Sequence, residues 1–185
     1  MTRPEPSDQH EEDLRDEVTG LGDRRRLDRD LPDALRRAQA SARAVGILKV
    51  DVDHFVTYVG EHGDDAGDEV LRLVAEILRA NVREGDVVYR FGAEEFCILL
   101  PDTTDSEGRA VSERLRAAVE RAPLPGEERL PAGRLTISLG LLLTDRTDPG
   151  EAMRTAEGAL REARDTGRNR VVVILDPDDP TLLLS

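Results

Sequence analysis

The sequence predicts an α/β (α+β) fold: a central mixed five-stranded sheet flanked by helices. Three observations predict it. Helical and strand patterns alternate along the 185 residues, a β-hairpin signal interrupts the alternation midway, and the long apolar segments are bounded by turn residues. With 38% hydrophobic and 35% charged residues, the chain suits one globular domain with a sizeable core and a charge-rich surface.

Residues 1–13 are proline- and charge-rich and read as a flexible N-terminal tail. Over 24–43, helical spacing puts Leu27, Leu31 and Leu35 on one face and arginines on the other, with Pro32 as a point of breakage or restart. Residues 44–52 read as a buried strand carrying Val45, Ile47, Leu48 and Val50. Over 68–82, Val70, Leu71, Val74, Ile77 and Leu78 form the inward face of an amphipathic helix. Strands at 86–91 and 95–100 flank Gly92-Ala93, a pair suited to a type II′ turn. A helix follows over 106–121 with Ser106 as its cap, then a loop over 123–131 and an apolar strand over 135–143. Asp148 caps a helix that runs to about 166 and stops at Gly167, and 170–175 is the last strand. The domain is expected to span 14–175, with a C-terminal tail over 176–185. The expected order is α-β-α-β-β-α-β-α-β.

The formal charge is −13, from 26 basic and 39 acidic residues. Such a balance argues against nucleic-acid partners and against an anionic membrane surface. No apolar run reaches the roughly 18–20 residues that span a bilayer, and the start has no signal-peptide pattern, so no membrane insertion is expected. A single cysteine, Cys97, excludes an intrachain disulfide framework and fits a cytoplasmic location. His10, His54 and His62 do not cluster as zinc ligands.

Chemistry concentrates in acids. Asp51 and Asp53 end a buried strand, and Glu94 and Glu95 sit at the hairpin. Carboxylates leaving a strand are costly to desolvate unless they meet a cation. Two carboxylates with a backbone carbonyl make a hard-oxygen set suited to Mg²⁺ that also holds phosphates. Taken singly, Asp-x-Asp and Glu-Glu read equally well as solvated loop acids.

The ordered motifs carry more. Asp16-Glu-Val-Thr-Gly-Leu-Gly-Asp-Arg-Arg25, Asp51-Val-Asp-His-Phe55, the Gly63, Gly67 and Asp68 set, Arg90-Phe-Gly-Ala-Glu-Glu-Phe96 and Ala163-Arg-Asp-Thr-Gly-Arg-Asn169 occur in that order. Together they resemble the GGDEF (diguanylate cyclase-like) family, with GAEEF as a degenerate signature. The resemblance implies a nucleotide-cyclase-like fold. It also implies that two facing domains each hold GTP and Mg²⁺ and join two GTP into cyclic di-GMP and pyrophosphate. By resemblance Asp51, Glu94 and the Val52 carbonyl would ligate metal. Glu95 would help position or deprotonate the attacking hydroxyl, and Arg164 and Arg168 would meet phosphates. Asp68 would accept from the guanine edge, and Gly92 and Ala93 would lie against the nucleotide. Arg83-Glu-Gly-Asp86 matches the family's inhibitory R-x-x-D, with five residues between Asp86 and Gly92, and Arg114 aligns with an arginine that completes that cyclic di-GMP site. R-x-x-D by itself also reads as a surface ion pair.

The chain departs from the family where D-x-D-x-F is followed by K-x-x-N-D. Val56 stands for the lysine, Val59 for the asparagine and Gly60 for the aspartate. Asp64 replaces a histidine, and Ala93 the second hairpin glycine. The expectation is a degenerate GGDEF domain in cyclic di-GMP signalling, catalytically weak or inactive, that binds cyclic di-GMP at Arg83, Asp86 and Arg114. The alternative is an active Mg²⁺-dependent diguanylate cyclase. GTP is a further expected ligand, and binding is expected to promote a homodimer. No sensory segment is expected before the domain, so input is expected from a protein partner, from dimerisation or from expression level.

Overall fold

Every residue of β1 (Val45–Val52) is buried in the computed structural model, which describes residues 14–123, 130 and 133–175. Burial on both faces is what a central strand covered by two helix layers requires. The other elements are α1 (Arg24–Ser41), α2 (Phe55–His62), α3 (Asp64–Ala80), β2 (Val87–Arg90), β3 (Glu95–Leu100), α4 (Asp105–Arg121), β4 (Ile137–Thr144), α5 (Pro149–Asp165) and β5 (Val171–Leu175). The tails expected at 1–13 and 176–185, and most of the loop expected at 123–131, lie outside the described residues.

The sheet runs β2-β3-β1-β4-β5. β1 is antiparallel to β3 and β4, β2 is antiparallel to β3, and β4 is parallel to β5, so the expected five-stranded mixed sheet is present. Strand alternation sorts the core into two layers. Leu48, Val50 and Val52 pack with Val70, Leu71, Val74 and Leu78 of α3. Val45 and Ile47 pack with Leu27, Leu31 and Leu35 of α1 and with Ala152 and Ala156 of α5.

Gly140 in β4 shows how closely α5 lies on the sheet. A Cβ there would meet the Leu160 nitrogen at 2.1 Å and the Ala156 oxygen at 2.7 Å. Helix backbone cannot swing aside as a side-chain tip can. Gly140→Ala is expected to destabilise the fold by about 2–3 kcal/mol, seen as a lower urea midpoint. An unchanged midpoint would mean that α5 lifts without cost.

Several local expectations are corrected. Pro32 neither breaks nor restarts α1, which runs through it with Leu31, Ala34 and Leu35 buried on either side. Packing of that face outweighs one lost backbone hydrogen bond. A further helix, α2, separates β1 from α3, and α3 starts at Asp64 rather than at 68. Tyr58 is the buried residue of α2, too little apolar periodicity to announce a helix. The hairpin is not a two-residue type II′ turn. Its ladder stops at Arg90 opposite Phe96, Phe91 and Gly92 both donate to the Glu95 carbonyl, and Gly92 does not adopt positive φ. The cap of α4 is Thr104, in a reciprocal capping box with Glu107, not Ser106.

Candidate functional site: an acidic strand end and a distal arginine pocket

Antiparallel pairing sets Asp51 of β1 directly opposite Glu95 of β3. The Glu94 carbonyl accepts from the Val52 amide at 3.1 Å, which closes the same end of the sheet. Asp51 is 6% exposed, and its Oδ2 accepts from Arg164 Nη1 at 3.3 Å. Burial pushes the Asp51 carboxyl up from 3.8 to about 7; Arg164 opposes the rise, and Glu94, Asp53 and Glu95 add to it.

Asp53 has a different role from its neighbour. It is 1% exposed, and its two oxygens accept from Thr136 Oγ1 and Ser138 Oγ, both at 2.7 Å, and from the Asn169 amide at 3.1 Å. Asp53 therefore ties β4 and the turn after α5 to the end of β1. That turn passes through positive-φ Gly167, Arg168 and Asn169, and Arg168 in it is exposed.

The hairpin is braced from behind. Arg90 Nε donates to the Gly92 carbonyl at 2.7 Å, its Nη2 to the Ala93 carbonyl, and its Nη1 to Asp16 Oδ1 at 3.3 Å. Asp16 also accepts from Thr19 through its amide and its hydroxyl. The opening motif thus buttresses the turn that presents Glu94 and Glu95, with Ala93 itself exposed.

Around α2 and α3, Val56 is 73% exposed. A Cβ on Gly67 would meet Val59 Cγ2 at 2.7 Å and Phe55 Cζ at 3.2 Å, so those two side chains lie against the backbone of α3. Asp68 is partly exposed and 3.7 Å from Arg72.

The R-x-x-D residues lie at the other end of the sheet, where Val87 pairs with Leu99. Asp86 accepts from the Arg83 amide at 3.0 Å and from Arg83 Nε at 3.3 Å. Arg83 Nη2 donates to the carbonyls of Pro101 and Asp102 and to Thr103 Oγ1. Arg114 donates through Nε and Nη2 to the Asn81 carbonyl, at 3.0 and 2.8 Å. Arg83, Asp86 and Arg114 line one cavity of about 200 Å³ with Leu100, Thr103 and Glu107.

The sequence reading missed Lys49, which is fully buried in β1 and bonds Glu95 Oε2 at 2.9 Å. A charged residue at an inward strand position was the signal. It also gave no role to Arg90 or Asp16, whose contacts span 74 residues of sequence.

Asp51 at the strand end, buried and crowded by Glu94, Asp53 and Glu95, fits a divalent ion: a cation would offset both the burial and the repulsion that raise its protonation. Among the described residues, no three acid, histidine or cysteine side chains form a metal-holding group, so such an ion would draw further ligands from backbone and water, and from phosphate when a nucleotide is bound. Without metal, Asp51 penalises the folded state. Between about pH 4 and pH 7 the folded chain keeps a proton that the unfolded chain has lost, so stability falls as pH rises through that window, and the penalty is complete above pH 7. In chelator at pH 8, Asp51→Asn is expected to gain on the order of 2 kcal/mol, a rise of roughly 5 °C in Tm, with little gain near pH 4. Equal Tm differences at the two pH values would contradict it.

A family model described as "Diguanylate cyclase, GGDEF domain" matches residues 13–170. Diguanylate cyclase DgcP of Pseudomonas aeruginosa is 37% identical over 169 residues, which is 90% of this chain and 25% of that protein. The chain thus spans a quarter of the length of that relative. Among solved structures, diguanylate cyclase SiaD in complex with its activator SiaC, from P. aeruginosa, matches with a TM-score of 0.81 at 29% identity, covering 91% of this chain and 64% of that one. The GGDEF domain of DgcB from Caulobacter crescentus, in complex with c-di-GMP, matches with a TM-score of 0.77 at 26% identity, covering 94% and 98%. No helix among the described residues is long and apolar enough to cross a membrane.

Proposed function

Because the chain belongs to the GGDEF family of diguanylate cyclase domains, we propose that it is a cyclic di-GMP-binding domain of a signalling protein, with weak or absent cyclase activity. One observation carries this reading: Arg83, Asp86 and Arg114 line a single cavity at the end of the sheet away from the acids. Arg83 spends Nε and Nη2 on Asp86 and on the 101–103 loop, so its guanidinium is oriented in advance and its remaining edge is left for a ligand. A fixed fork loses little freedom on meeting a phosphate or a guanine edge. Relatives support the ligand class, since DgcB was solved in complex with c-di-GMP. A ligand-bridged homodimer and a protein partner that supplies input belong to the same proposal; SiaD was solved with such an activator.

At the acidic end, Asp51, Glu94 and the Val52 carbonyl would hold Mg²⁺, which would neutralise phosphate charge. Glu95 would orient the attacking hydroxyl, Arg164 and Arg168 would bind phosphates, and Asp68 would accept from guanine N1 and N2. Gly92 and Ala93 would border the nucleotide. Val56 and Val59 offer neither a cation nor an amide there, which weakens retention and selection of GTP. A second reading, an active Mg²⁺-dependent diguanylate cyclase, is favoured by the closeness of Glu94 to Asp51.

Calorimetry with cyclic di-GMP, GTP and ATP, with and without Mg²⁺, separates the two. Metal-independent binding of cyclic di-GMP with little product from GTP supports the first. Robust cyclic di-GMP formation, followed by chromatography, supports the second.

A further inference from the structure

Lys49 is the one lysine of the chain and has no exposed surface. Its ammonium bonds Glu95 Oε2 at 2.9 Å, lies 3.3 Å from Glu157 Oε2 of α5, and sits 3.4 Å from the centre of the Phe91 ring. A buried cation persists only where such partners replace its water. The topology explains why Glu95 is the chosen partner. Asp51 pairs with Glu95 and Lys49 with Cys97, so Lys49, Asp51 and Glu95 share one face of the sheet, with Lys49 diagonal to Glu95. Glu157 is half exposed and so is the weaker of the two acids as a counter-charge. Were Glu95 to turn away, the ammonium would keep, among the described residues, that solvent-screened acid and an aromatic face.

We propose that Lys49 is a positioning residue that clamps Glu95 against β1 and keeps it from a divalent cation, so that the adjacent glutamates divide their work: Glu94 joins Asp51 at the cation and Glu95 stays free of it. The assignment rests on the reading of Asp51 and Glu94 as the cation-holding pair. It follows that Lys49 and its second acid, Glu157, act on metal affinity in opposite directions. Lys49→Met removes the clamp and one positive charge, which releases Glu95 to the cation. Glu157→Gln leaves Lys49 wholly to Glu95 and removes a negative charge, which weakens cation binding. A merely structural ion pair would instead lower Tm in both variants without opposed metal effects.

The test is titration of the full chain with Mn²⁺ alone, read by electron paramagnetic resonance, on wild type, Asp51→Asn, Lys49→Met, Lys49→Met/Glu95→Gln and Glu157→Gln. The expected result is binding about tenfold tighter for Lys49→Met, the scale of one close charge interaction at an intermediate dielectric, and about two- to threefold looser for Glu157→Gln. The gain should vanish in Lys49→Met/Glu95→Gln. If the gain persists there, the lysine acts only through space on Asp51 and Glu94, and the clamp is wrong. If wild type binds through Asp51 and Lys49→Met binds equally, the clamp alone falls. If wild type binds no Mn²⁺, or Asp51→Asn binds as well as wild type, the cation pair falls and takes the clamp with it. Should Lys49→Met fail to fold by circular dichroism, Glu157→Gln decides: unchanged affinity there overturns the proposal.

Discussion

Arg83→Ala is expected to weaken cyclic di-GMP binding by about 3 kcal/mol, or roughly a hundredfold, with loss of ligand-induced dimers. The size reflects removal of a charge-assisted fork rather than a lone charge. Arg83 also holds the carbonyls of Pro101 and Asp102 and pairs with Asp86, so the variant loses the arrangement as well as the contact. Arg114→Ala should cost less, because its fork closes on a single carbonyl, that of Asn81. Asp51→Ala and Glu94→Ala should bind as wild type, since those acids lie at the opposite end of the sheet. Calorimetry on the four variants, with light scattering to follow mass and thermal melts to check folding, decides the matter. A folded Arg83→Ala that binds as tightly as wild type would reduce R-x-x-D to a surface ion pair.

Restoring Val56→Lys, Val59→Asn and Ala93→Gly together is expected to raise cyclase turnover from GTP by on the order of 10²–10⁴, the combined scale of a phosphate contact and a base-edge contact. The sites accept the changes. Val56 is 73% exposed, so a lysine there is solvated in the free protein. Asparagine is close in volume to valine and can occupy the space that Val59 fills beside Gly67. Ala93 is exposed, and its hairpin is held by Arg90 through backbone carbonyls rather than through its methyl group. Chromatographic product assays with GTP and Mg²⁺ measure the gain. A folded triple variant with no more product than wild type would place the defect elsewhere, in the pairs that occupy Asp51 and Glu95 in the free chain.

The family and the mixed sheet were legible in the sequence, because local signals carry them. Asp148 and Gly167 bound α5, Leu27, Leu31 and Leu35 line α1 at helical spacing, and ordered motifs recur from residue 16 to residue 169. The turn type, the extra helix and the cap of α4 were not legible, because each depends on contacts a few residues long that several conformations satisfy. Thr104 outcompetes Ser106 only because Glu107 reaches back to it. The surroundings of the acids were decided by tertiary structure. Spacing by itself offers Asp51 and Asp53 as equals, and the family resemblance alone singles out Asp51. Antiparallel pairing with β4 brings Thr136 and Ser138 to Asp53, the turn before β5 adds the Asn169 amide, and Asp51 is left crowded by acids, with Arg164 as its counter-charge. Pairing with β3 turns Lys49, one charge in an apolar run, into the buried partner of Glu95. Charge interactions depend on distance in space and on burial, and neither is written in the order of residues.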